Sequence, residues 1–207
     1  MEKIKFSVFD IFAYVIPGAV ALLASIILTD PSIKRLVDLS KPFQNMDLGV
    51  GIAVIVAAYV IGFAIDSPGS WLYYSIGCKV FGPPYKPAKN GLSNSQKRAL
   101  VRQFSPENYS YAQLWKVTKT MSHNLSLSTF ILAVVSTVQA FRVPTPGRTE
   151  WIVLSVVTFL LSVILLHRAH VFDTWHYNDL SNTVQALYLE KKALREVVSK
   201  PKEESAG

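Results

Sequence analysis

Polar and apolar positions alternate in neither of the periods expected of a soluble domain; the apolar residues instead gather into four nearly charge-free runs. The first is Ile11 to Leu28, IFAYVIPGAVALLASIIL, and the second is Leu48 to Ile65, LGVGIAVIVAAYVIGFAI. The third is Asn124 to Phe141, NLSLSTFILAVVSTVQAF, and the fourth is Trp151 to Leu166, WIVLSVVTFLLSVILL. Each approaches the roughly 17–25 residues with which a helix crosses hydrocarbon. The pattern therefore predicts an all-α polytopic membrane protein with four transmembrane helices. It divides the chain into an N-terminal helical hairpin (1–66), a basic segment (67–123), a second helical hairpin (124–168) and a cytoplasmic helix with a disordered tail (169–207).

Composition supports this and removes a freestanding soluble enzyme: 50% of residues are hydrophobic and only 17% charged, against about 25% charged in soluble domains. The single cysteine, Cys78, excludes an internal disulfide. Lys3 and Lys5 precede the first run as in a signal peptide, but no clean A-x-A site follows it and three further runs need none to insert. Charge sets the orientation. Sixteen of the 21 Lys and Arg lie in the N-terminal tail, between runs two and three, or after run four, and only Lys34, Arg35, Lys41, Arg142 and Arg148 lie in the other two loops. The positive-inside rule then puts both termini and the middle segment in the cytoplasm, in an inner membrane. That middle segment, with Asp66 and Glu107 as its only acids, carries +6 of the formal +7.

Several positions break the apolar pattern. Asp10 stands where it caps the first helix. Pro17 and Gly18 interrupt the same helix, as a packing kink or as a hinge or pore-lining bend. Run two carries small-residue faces, Gly49/Ala53/Ala57 and Ala58/Gly62, suited to close helix contact within the chain or between subunits. Pro68 and Gly69 are expected to end that helix just past Asp66, whose carboxylate then answers a positive partner or serves an ion-related role. Trp71, Tyr73 and Tyr74 read as an interfacial aromatic belt. Run three is rich in hydroxyls, Ser136 among them, that suit a wet lining or bond back to their own helix.

The basic segment predicts a loop over 82–94, a short helix from Ser93 or Asn94 carrying Lys97, Arg98 and Arg102, and another helix opening at Ser105-Pro106-Glu107. It is too small for a core of its own and is expected to pack on the membrane face or the C-terminal helix. Its cations suit membrane lipids or a phosphate-bearing ligand, nucleotide or nucleic acid. After Leu166 no proline or glycine occurs before Ser199, so the last helix extends far beyond the bilayer. Leu180, Val184, Leu187, Leu194 and Val198 give it a near-heptad stripe suited to pairing, and PKEESAG ends it as a solvated tail.

The densest polar cluster is HRAHVFDTWHYND. His170, Asp173 and His176 sweep too wide an arc to close a metal site from one helix, though His170 with Asp173 or His176 could supply a pair to one. No HExxH, GxSxG, CxxC or P-loop pattern accompanies them. The expectation is a protein without catalytic residues, metal or cofactor.

The opening FSVFDIFAYVIPGAVALL resembles that of small bacterial multi-span membrane proteins in which a Phe-Asp pair precedes a Tyr and a Pro-Gly, here Phe9, Asp10, Tyr14, Pro17 and Gly18. Some of these stand beside anti-phage defence or CRISPR components. The resemblance implies a homo-oligomeric inner-membrane effector or accessory that alters membrane permeability. The residues leave a second reading open, a non-conducting scaffold or sensor that recruits a cytoplasmic protein partner through the basic loop and C-terminal helix.

Overall fold

The computed structural model describes residues 8–44, 46–84 and 92–199, with side chains described from Ile11 to Tyr188 apart from position 146. Its elements are α1 (Val8–Thr29), a 3-10 helix (Leu36–Phe43), α2 (Leu48–Leu72), a π turn (Tyr73–Gly77), α3 (Cys78–Phe81), α4 (Asn94–Phe104), α5 (Pro106–Arg142) and α6 (Thr145–Ser199). Four of the helices, α1, α2, α5 and α6, are long and apolar enough to cross a membrane. The chain is thus an all-α polytopic membrane protein. The side chains of Asp10, Leu194 and Val198, and the tail from Lys200, lie outside the described residues.

The spans pack as two antiparallel hairpins around α5, which lies against α1, α2 and α6. Register along α5 and α6 is fixed by paired contacts: Ser126 and Ser162 each donate to the other's main-chain carbonyl, at 2.9 and 2.8 Å, and His176 meets the Ala112 carbonyl further along. Inside lipid, helix association has no hydrophobic drive, and such interhelical hydrogen bonds contribute about 0.6 kcal/mol each. More than half of the α5 span is buried, whereas α2 and α6 leave most of their surface to lipid. The hydroxyls of run three follow that burial. Ser128 and Thr129 donate to carbonyls of their own helix, and Ser136 is fully buried on α5 with no hydrogen-bond partner for its Oγ.

Helices α1 and α2 cross at glycine. A Cβ built on Gly18 would lie 1.7 Å from the Ala58 carbonyl oxygen, and one on Gly62 would lie 1.9 Å from that of Tyr14. The Ala58/Gly62 face is therefore taken by α1 of the same chain. Pro17 is fully buried at this crossing, and the helix continues through it. Gly49 and Ala53 remain exposed.

One end of the bundle, called the hairpin end here, is closed by the loop after α1. Trp151, fully buried, donates its indole N–H to the Lys34 carbonyl at 2.9 Å. Gly147 packs so closely beneath that carbonyl that a Cβ would come within 2.5 Å. Gln139 donates to the Ile33 carbonyl. Glu150 binds the Arg35 guanidinium at 2.7 Å and the Leu36 N–H at 2.9 Å. Asp38 opens the 3-10 helix by accepting the Lys34 and Arg35 N–H groups. The Lys41 hydrogen bond, with those N–H groups behind it, holds the Asp38 carboxyl down to about 2.

At the other, basic end, the expected stop at Pro68-Gly69 does not occur. Helix α2 runs on to Leu72 and then through the π turn into α3. Proline removes one hydrogen bond but leaves the remaining turns intact. Gly69 is used for packing, since a Cβ there would lie 2.7 Å from Asn124 Oδ1. Past the π turn the helix continues through Cys78–Phe81 and stays against α6, with Tyr73 bonded to Asp173 and Phe81 packed on His167 and His170. Helices α4 and α5 begin as expected, α4 with a Ser93/Gln96 capping box and α5 with Pro106 in its first turn. Together with α6 they bury Val101, Ala112 and Leu180. The basic segment therefore packs on the last helix.

Candidate functional site

The π turn, the middle of α5 and the region of α6 just beyond its apolar run converge at the basic end on a buried polar network. Lys119 is its centre. Its ammonium lies 3.1 Å from Asp173 Oδ1, donates to the Tyr74 hydroxyl at 2.8 Å, and sits 5.0 and 4.8 Å from the ring centres of Tyr73 and Tyr74. One cation is thus satisfied by a carboxylate, a phenol and two aromatic faces. Asp173, 2% exposed, also accepts the Tyr73 hydroxyl proton at 3.0 Å. Tyr73 is fully buried while its neighbours Trp71 and Tyr74 are exposed. Of the expected aromatic belt, Tyr73 therefore belongs to the interior. The π turn, in which one extra residue rotates the following side chains relative to an α-helix, is the local device that accompanies this inward turn.

A second station lies toward the membrane. Asp66 Oδ1 accepts from Asn124 Nδ2 at 3.2 Å and from His123 Nε2 at 3.4 Å, and the His123 ring stacks on Tyr73 with centroids 6.2 Å apart. His123 and Asn124 are buried while Asp66 is partly exposed. A third station lies on the other side. His176, buried, bonds through Nδ1 to the Ala112 carbonyl at 2.7 Å and through Nε2 to Arg98 at 3.1 Å. A carbonyl only accepts and a guanidinium only donates. Together they hold the imidazole as its neutral Nδ1–H tautomer. Beyond it Lys97 donates to Ser181 at 3.1 Å and the Trp115 indole to Asp179 at 2.6 Å.

The candidate residues distribute as follows. Asp66, Asp173, His176, Arg98 and Lys97 join this network, each bound to a different partner. Lys97 and Arg98 turn toward α6 while Arg102 is exposed, so the three do not share one concave site. His170 is partly buried against Phe81, with Nδ1 unpartnered. Pro17, Gly18 and Ser136 lie apart, at the α1–α2 crossing and within α5. Among the described residues no three His, Cys, Asp or Glu side chains gather to hold a metal ion. Tyr73 and Tyr74, expected only as part of an interfacial belt, also belong to the network, as do Lys119, His123 and Asn124, which the sequence did not single out. A helical signal was present for two of them, since Lys119 and His123 are four residues apart and share a face of α5.

No family model, curated protein or solved structure matches the chain. The architecture itself places it among polytopic all-helical membrane proteins with a charged, hydrogen-bonded network buried at one end of the bundle.

Proposed function

We propose that the chain is a non-conducting inner-membrane scaffold or sensor, with both termini and the basic end in the cytoplasm, that presents the extension of α6 to a soluble protein partner. The supporting observation is the single 55-residue helix α6. At about 1.5 Å per residue it is roughly 80 Å long, against a hydrocarbon core of about 30 Å. Its base is clamped by Lys119, Tyr73 and Arg98, so the extension is held at a fixed angle to the spans. The buried hydroxyls and amides of α5 favour the same reading, since all but Ser136 are bonded within the protomer where a wet pore wall would leave them open.

The permeability-altering reading keeps one specific support, the exposed Gly49/Ala53 face of α2, through which copies could associate into a larger wall. In either case the resemblance of the opening suggests a place beside anti-phage defence. Reconstitution in liposomes discriminates: the purified chain is expected to pass neither ions nor a small dye. A photo-crosslinker at the exposed Tyr188 is expected to capture a soluble protein in cells that the same group at lipid-facing Val156 does not. Steady flux abolished by leucine at Ala53 would sink the scaffold reading.

A further inference from the structure

Between α5 and α6 on the lipid-facing side runs a groove made of two adjoining cavities of about 160 and 240 Å³. They share Thr137, Ser155 and Val156, so the groove is continuous. Arg148 closes it at the hairpin end and Leu160 lies at its far end. At about 1.5 Å per residue of α6, that separation is about 18 Å, close to one leaflet of a core about 30 Å thick. Its walls are apolar, with Phe141, Val156 and Phe159 all widely exposed.

Two features indicate what fills it. Thr137 and Ser155 are its only hydroxyls at mid-depth, and both use their protons within the protein: each lies within hydrogen-bonding distance of the Ala133 carbonyl, at 2.9 and 3.0 Å, and they lie 2.7 Å from each other. The groove below its mouth thus offers no free donor and suits hydrocarbon. The mouth is the opposite. Arg148 Nε donates to the Ala140 carbonyl at 3.2 Å, which orients the guanidinium, and its two Nη groups have no partner among the described residues. The nearby carboxylate of Glu150 is already engaged by Arg35 and the Leu36 N–H. A planar fork of unpaired N–H donors at the head of a leaflet-long apolar groove matches a phosphodiester carrying an acyl chain. A second copy fits less well. A parallel two-fold pair across this groove would bring two Arg148 side chains together at the same end with no free carboxylate between them.

We propose that this groove is a specific phospholipid site, with the lipid phosphate on Arg148 and one acyl chain between α5 and α6 in the leaflet at the hairpin end. The test is native mass spectrometry of the delipidated full chain in detergent, titrated with dioleoylphosphatidylglycerol or with dioleoylglycerol, which has the same chains without the phosphate. Wild type is expected to retain one phosphatidylglycerol at least tenfold better than dioleoylglycerol. Arg148→Gln is expected to reduce phosphatidylglycerol to the dioleoylglycerol level, and Val156→Trp, which fills the groove, to lower both. Arg168→Gln at the basic end is expected to leave retention unchanged. Equal retention of the two lipids by wild type, or undiminished phosphatidylglycerol retention by Arg148→Gln, would overturn the site. So would a wild-type dimer without lipid adduct that Val156→Trp converts to monomer, which would give the groove to a second copy.

Discussion

Lys119→Met is expected to destabilise the bundle by about 3–5 kcal/mol, because it leaves the Asp173 carboxylate buried with only the Tyr73 hydroxyl to answer it. The asymmetry is the informative part. Removing both charges with residues of similar volume, as in Lys119→Met with Asp173→Leu, is expected to recover most of the loss, since a buried pair of good geometry often does no better than a well-packed apolar replacement. Reversible unfolding in mixed detergent micelles, followed by helical circular dichroism, gives the three free energies. A single mutant within about 1 kcal/mol of wild type would show that water reaches Asp173 and that the network is not the clamp described above.

Gly62→Leu is expected to cost about 3 kcal/mol or more, whereas Ala53→Leu on the same helix should stay within about 0.5 kcal/mol of wild type. The difference follows from the crossing of α1 and α2. Any side chain at Gly62 would overlap the Tyr14 carbonyl, so the helices must separate along their contact, while Ala53 is exposed and has room for a larger group. The same unfolding measurement decides it, and equal losses for the two variants would mean that the helices do not cross at these glycines.

The two faces of α2 also mark what could be read from sequence. Both look alike as small residues at four-residue spacing, and only the docked helices distinguish the one that α1 covers. The four spans were legible, because a run of uncharged apolar residues can satisfy its backbone in lipid only as a helix. The starts of α4 and α5 were legible too, since capping residues act locally. The passage of α2 through Pro68 was not. A Pro-Gly pair ends most helices, and here Gly69 instead provides the notch against which Asn124 packs. For the site, His170, Asp173 and His176 stood out as a cluster in the sequence, yet the fold sends them to three different surroundings. Lys119 was visible only as one more positive charge near a membrane end. Its partner Asp173 lies on another helix, and the tyrosines that enclose it looked like an interfacial belt until the π turn placed one of them inside.

The burial of α5 has a consequence for how the chain enters the bilayer. This helix is the least apolar of the four spans and the one most covered by the others. When it first emerges during synthesis, α6 does not yet exist, and its serines, Asn124 and Gln139 face lipid or the insertion machinery without their final neighbours. The short turn at Val143-Pro144 brings α6 immediately behind it, so the two are expected to enter as one hairpin, with α6 lending the apolar surface that α5 lacks. In a glycosylation-mapped insertion assay, a chain ending shortly after Arg142 should leave α5 largely uninserted, while one continuing through His170 should place it fully. Complete insertion of the shorter chain would show that α5 crosses unaided.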